Sequence, residues 1–158
     1  AEREKVIDFS QPYAPFFLGV FGPQGSTLKD AAELSGKSIG VTRGAVEDMV
    51  LTSIAPKATQ IKRYEDNNTT LSAWLSGQVQ YVATGNLVVA AISRQNPAKA
   101  PVANFMLKDS PCVIGLKKNE PALKEKVNAL IAQGIKDGTL NTLSQQWLKA
   151  PLPSDFAA

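Results

Sequence analysis
Between residues 38 and 95, three short β-rich runs alternate with three helical stretches. That alternation constrains the fold more than any other feature of the chain. SIGVT (38–42) is followed by Arg43-Gly44 and then by AVEDMVLTSI, which reads as a helix. TQIKRY (59–64) precedes a stretch from Asp66 to Ser76 in which Leu71, Trp74 and Leu75 share one helical face, with Gly77 as its stop signal. VQYVA (79–83) leads into Asn86–Gln95, closed ahead of Pro97. Repeated strand-helix units of this kind predict an α/β fold with a parallel sheet covered by helices.

The flanks add two strands and two helices. FFLGVF (16–21) follows Pro15 and CVIGLK (112–117) follows Pro111, so both read as extended crossings; ANFMLK (103–108) is a weaker strand candidate. Asn119 is placed to cap a helix whose apolar stripe is Leu123, Val127, Leu130, Ile131 and Ile135. Asp137-Gly138 breaks it, and Thr139 is placed to cap a second helix carrying Leu140, Leu143 and Trp147. Trp74 and Trp147 are expected to pack in cores. The tail APLPSDFAA reads as irregular.

Composition excludes several functions. The 158 residues are one domain's worth of chain and are 44% hydrophobic. The 17 basic and 14 acidic residues are scattered, with no basic stripe interleaved with aromatics, so no nucleic-acid partner is expected. No apolar run reaches the roughly 18 residues that span a membrane. The chain has no histidine, which removes the usual general base, the usual zinc ligand and any Ser-His triad. Neither a metal site, a cofactor nor a catalytic set is expected. Cys112, the one cysteine, excludes an internal disulfide and is expected to be buried and inert. The opening AEREKVIDF reads as an interior segment, with no signal peptide in the chain.

Four stretches in register carry a resemblance. They are REKVIDFSQPY (3–13), LSGKSIGVTRGAVED (34–48), LSAWLSGQVQYVATGN (71–86) and the segment from Val113 to Leu148. Together they resemble the bacterial extracellular solute-binding proteins of family 3, the periplasmic binding components of polar amino-acid ABC importers. The resemblance implies a type II periplasmic-binding-protein fold: two α/β lobes, a ligand between them, and a chain that crosses the hinge twice. Residues 1–15 then end the first lobe, 16–111 form a complete second lobe, and 112–158 return through the hinge to the first lobe's C-terminal helices. The family's N-terminal third is missing, so part of the apolar face of those helices is expected to lack a partner. A deliberately shortened chain, a proteolytic fragment, or segment-swapped self-association would each account for that.

The resemblance also names candidate ligand-binding residues. Arg3 matches the arginine that forks onto a ligand carboxylate, for which a guanidinium has the right paired donors; taken alone it reads as a surface arginine. Thr42-Arg43-Gly44-Ala45-Val46 joins a strand to a helix, where backbone amides favour an anion. The family usually has threonines at Ala45 and Val46, so hydroxyl donors are lost here while the amides remain. Arg43 either assists an anionic ligand or points to water. In Thr84-Gly85-Asn86, Gly85 stands where α-amino-acid binders usually carry an ammonium-pairing aspartate. Asn86 offers a neutral acceptor or serves as an N-cap, and Gln80 tunes a strand end. Tyr13 or Phe16 could line the cleft.

The function expected from this resemblance is capture of a polar amino acid or related small carboxylate, presented to a membrane permease by a protein that is periplasmic, or extracellular and membrane-associated. Two alternatives share the fold. One is a sensor domain cut from a membrane receptor, against which the tail PLPSDFAA reads as a natural terminus. The other is a dehydratase-like enzyme using Glu47 or Asp48, residues that at a helix start more simply offset its dipole.

Overall fold
The computed structural model describes residues 2–156. In chain order the elements are β1 (Ile7–Phe9), β2 (Phe17–Gly22), β3 (Ser38–Thr42), α1 (Val46–Ile54), β4 (Gln60–Tyr64), α2 (Asn67–Leu75), β5 (Tyr81–Gly85), α3 (Asn86–Gln95), β6 (Val102–Asp109), β7 (Gly115–Lys117), α4 (Pro121–Lys136) and α5 (Thr139–Trp147). The chain divides into two compact units: Phe17–Asp109, and the two flanking segments together.

The first of these units is a five-stranded sheet in the order β4-β3-β5-β2-β6. The three strands of the repeated strand-helix units pair in parallel, with Val41 opposite both Arg63 and Ala83. The sheet is nonetheless mixed, because β2 is antiparallel to both β5 and β6. The parallel reading therefore holds for only part of the sheet. β2 enters this unit and β6 leaves it at the same edge, where Phe17 faces Asp109. Strands that begin and end a unit at one edge must run oppositely to each other. β6, the weaker candidate by sequence, is the longest strand.

Alternation along the strands builds two cores. Val20, Leu28, Leu34, Ile39, Val41, Leu51 and Ala83 form one, while Phe21, Val82 and Val89 form the other with Phe17 and Trp74 against them. Each fully buried aliphatic side chain contributes about 1.5–3 kcal/mol. Trp74 thus packs as expected.

The third strand begins two residues later than its composition suggests. The Gly77 amide donates to Trp74 O and the Gln78 amide to Ala73 O, with Gly77 at φ +80°. This Schellman closure of α2 uses residues 76–78 and displaces strand entry to Tyr81. Gln80 does fix the strand's entry: its Oε1 accepts from the Ser38 amide, and its own amide donates to Ser38 Oγ, both at 3.0 Å.

In the other unit, β1 and β7 pair antiparallel, with Ile7 opposite Lys117. The predicted strand 112–117 is a ladder only over Gly115–Lys117, with an isolated bridge between Ala14 and Cys112. Pro12, Pro15 and Pro111 remove amide donors from this stretch, and a ladder cannot run through them. Cys112 is half-buried rather than sealed. Gln11 anchors α4, donating its backbone amide to Asn128 Oδ1 at 2.8 Å and its Nε2 to Asn128 O at 3.2 Å.

Neither predicted cap of the C-terminal helices forms. Asn119 lies outside α4 in the left-handed region, and Glu120 holds the N-cap position ahead of Pro121. The Asn119 amide instead donates to Asp8 Oδ2, and Lys118 pairs with Asp8 at 3.0 Å. Gly138 holds the N-cap position of α5, and the Thr139 amide donates to Asp137 Oδ1 at 2.9 Å. Leu130 is 69% exposed and Trp147 54%, so Trp147 is not a core residue; of the α4 stripe only Ile131 is buried. The tail is irregular to Phe156, and its last two residues lie outside the described residues.

Candidate functional site
β3 and β5 are parallel neighbours, so their C-terminal ends lie side by side. Two residues past the Val41–Ala83 pair, each chain leaves the sheet and starts a helix. Thr42-Arg43-Gly44-Ala45 leads into α1, and Gly85 leads directly into α3. The crevice beyond the carboxyl ends of parallel strands is where α/β sheets characteristically receive ligands. The structure thus brings Arg43, Gly44, Ala45, Val46, Gly85 and Asn86 to one edge of one sheet. Arg3, in a short 3-10 helix at Arg3–Lys5, and Tyr13 belong to the other compact unit, and both are exposed.

The first junction is a tight turn. The Arg43 amide continues the ladder to Tyr64 O at 2.8 Å, and the Ala45 amide closes back to Thr42 O at 3.2 Å. Gly44 completes the turn at φ +73°, where a side chain is strained even though the space around it is open. Gly44→Ala is expected to cost about 1 kcal/mol, read as a lower urea midpoint at unchanged slope. Ala45, at the N-cap, supplies no side-chain hydrogen bond to α1. Its methyl group cannot accept one, so the amides opening the helix keep their donor capacity.

Asp48 fixes this turn to the sheet. Its Oδ2 accepts from the Gly44 amide at 2.9 Å, and its Oδ1 accepts from Thr52 Oγ1 at 3.1 Å and Arg63 Nε at 2.9 Å. Arg63 also donates to Thr52 Oγ1 at 2.8 Å. Burial pushes the Asp48 carboxyl up, but the hydrogen bonds from Gly44, Arg63 and Thr52, with the Arg63 charge, outweigh it and leave the group below the ordinary carboxylate range. An ionised, fully engaged carboxylate is a brace and is poorly suited to donate a proton. Sequence reasoning placed Asp48 at a helix start but missed Arg63 and Thr52. Only the β3–β4 register brings Arg63 beneath α1.

Arg43 pairs with Glu65 at 3.2 Å, and both side chains are largely in water. Such a pair is worth about 0–1 kcal/mol. Thr42, which opens the junction, donates to Asn67 Oδ1 at 2.8 Å and lies 3.0 Å from the Thr70 hydroxyl, tying β3 to α2.

The second junction corrects the reading of Asn86 as an N-cap. The N-cap position is Gly85, with no side-chain cap, and Asn86 is the first helical residue. Asn86 Oδ1 accepts the Phe17 amide at 3.0 Å, which ties the start of β2 to the start of α3. Gly85 has φ −80°, ψ 147°, a conformation open to any L residue. Its backbone does not demand glycine; what the position lacks is a side chain.

Comparison with known proteins agrees with this architecture. Residues 1–150 match the profile of the bacterial extracellular solute-binding proteins, family 3. The L-cystine-binding protein TcyJ of Escherichia coli K12 is 27% identical over 152 residues, covering 94% of this chain and 56% of that protein. The ABC transporter glutamine-binding protein GlnH of Bacillus subtilis 168 is 25% identical, with 94% and 54% covered. This chain therefore spans little more than half the length of these relatives. Among solved structures, substrate-binding domain 2 of Lactococcus lactis GlnP, in an open conformation, superposes with a TM-score of 0.81 at 20% identity, covering 94% of this chain and 65% of that one. The unliganded L-cystine solute receptor of Neisseria gonorrhoeae gives 0.80 at 16% identity, with 96% and 63% covered. The fold is that of a type II periplasmic binding protein.

Proposed function
Because this chain belongs to the bacterial extracellular solute-binding proteins, family 3, we propose that it captures a polar amino acid or related small carboxylate for an ABC-type importer. Capture takes place outside the cytoplasmic membrane, by a protein that is periplasmic or extracellular and membrane-associated, and the loaded protein is presented to the membrane permease. The observation that carries this reading is the pair of helix N-termini at neighbouring strand ends, α1 and α3, neither capped by a side chain. Backbone amides and the positive ends of two helix dipoles converge on one edge, which suits a small anion. Arg43 lies beside them on a weak surface pair that a ligand carboxylate can replace.

In this reading Arg43, Gly44, Ala45, Val46, Gly85 and Asn86 line the ligand's place. Ala45 and Val46 contribute amides and no hydroxyls. Asn86 contributes chiefly by fixing α3 through Phe17. Arg3 and Tyr13 remain candidate ligand residues on the resemblance alone. We assign no reaction to the site: Asp48, one of the two acids weighed for a dehydratase, is spent on Gly44, Thr52 and Arg63. The relatives' names concern L-cystine, glutamine and arginine, which sets the first ligands to try.

The test is a melting-temperature screen of this chain against the twenty L-amino acids, cystine and small organic anions. A ligand at a hundred times its Kd stabilises the folded state by about 2.7 kcal/mol. At about 2–4 °C per kcal/mol for a chain of this size, the melting temperature is expected to rise by about 5–11 °C. A folded chain whose melting no compound in the panel moves would overturn the reading for these 158 residues.

A further inference from the structure
Glu47 is an acid that the fold buries and does not pair. It is 7% exposed, yet it takes part in no hydrogen bond or ion pair among the described residues. Its neighbour Asp48 is equally buried but has four donor contacts, so burial alone does not explain the difference. No sealed and unpartnered side-chain oxygen occurs among the described residues. The Glu47 carboxylate therefore keeps an opening to the outside, while its stem is enclosed.

The direction of that opening follows from the helix. Glu47 is four residues before Leu51, and residues at that spacing share a face. Leu51 lies fully buried in the core with Val41 and Ala83. Glu47 thus stands one turn above it, on the same side of the sheet as Ala83, where α1 begins at the strands' C-terminal ends. Along β5, Gly85 is two residues beyond Ala83 and faces that same side. The one position of β5 that looks toward the Glu47 level therefore brings no side chain, and none of the described cations reaches Glu47.

A carboxylate on an enclosed stem, open at its tip and without a protein partner, is placed to pair with an arriving cation. We infer that Glu47 is the counter-charge for the ligand's cationic group, so that the site selects a zwitterionic amino acid over the corresponding hydroxy acid. The α-ammonium is the group in question. It sits beside the ligand carboxylate, and Glu47 is the second residue of the helix whose opening amides receive that carboxylate. This inference rests on the capture function proposed above, and it supplies a charge partner where Gly85 offers none.

Two measurements test it. In the first, wild type and Glu47→Gln are melted without ligand. Because no protein group pairs with this carboxylate, its neutralisation is expected to leave the melting temperature no lower than that of wild type. A lower one would show that Glu47 serves α1 as an ordinary acid offsetting the dipole, and would overturn the inference. In the second, each L-amino acid that binds is titrated beside its α-hydroxy counterpart, for example aspartate with malate and glutamate with 2-hydroxyglutarate. Wild type is expected to prefer the amino acid, and Glu47→Gln to lose roughly tenfold in affinity for it while holding the hydroxy acid. Equal binding of both by wild type, or an unchanged preference in Glu47→Gln, sinks the role of Glu47 and leaves the capture function standing. If neither compound of any pair binds wild type, the capture function fails for this chain and the inference fails with it.

Discussion

Leu51→Ala is expected to lower the stability of the Phe17–Asp109 unit by about 3–4 kcal/mol. Leu51 is 0% exposed and touches a core built from β2, β3 and β5. Its truncation loses the transfer free energy of the removed carbons and leaves a cavity that close-packed strands cannot fill. The two tryptophans make the measurement local. Trp74 lies in the five-stranded unit and Trp147 in the other, so a Trp147→Phe background leaves Trp74 as sole fluorescence reporter. In urea its midpoint should fall with little change in slope. Leu130→Ala, at a position 69% exposed, is the control and should move stability by no more than about 0.5 kcal/mol. The same cavity lies one turn below Glu47. Ligand affinity should therefore fall in Leu51→Ala as well, while Leu130→Ala leaves it unchanged. Equal effects of the two substitutions would mean that the assigned core does not carry the fold.

The strand-helix alternation was legible because each segment of the central region carries its own period. Ser38–Thr42 and Asn86–Gln95 fall where the sequence places them, and Gly77 stops α2 as read. What failed to be legible is set by partners remote in sequence. The antiparallel entry of β2 depends on β6, about 85 residues later, and no local pattern encodes the direction of a neighbour. Asn119 and Thr139 have the right residue types for caps. The chain reverses one residue too early for Asn119, and at Gly138 for Thr139, so neither side chain meets the amides it would cap. At the site, the two junctions were found from Gly44 and Gly85. The chemistry of the acids was not, because Glu47 and Asp48 are adjacent and alike in sequence. Their difference comes from the register that puts Arg63 within reach of Asp48, while Glu47 has no hydrogen-bond or ion-pair partner among the described residues.

That register supports the second large expectation, which concerns Asp48→Ala. Asp48 is held by the Gly44 amide, Thr52 and Arg63, and removing it leaves Arg63 without its carboxylate partner and the Gly44 amide without an acceptor. Breaking a fully buried pair by deleting one partner costs about 3–5 kcal/mol. The Arg63 side chain keeps 36% of its surface in water, which reduces its share, so the expected loss is about 2–3 kcal/mol. The pH dependence has a definite sign. A carboxyl whose folded pKa lies below its unfolded value of about 3.9 stabilises fully above that value, and its contribution disappears as pH falls through the lower folded value. The gap in stability between wild type and Asp48→Ala should therefore be widest near neutrality and narrow below about pH 4. Two features separate this brace from a general loss of packing. Leu51→Ala should show no such narrowing, and amide exchange at Gly44 should accelerate in Asp48→Ala more than in Leu51→Ala. Ligand affinity should drop too, because the Gly44 turn sets where the opening amides of α1 point. If the stability gap stayed constant from neutrality into the acid limb, the ionised Asp48–Arg63 brace would not be what holds that turn to the sheet.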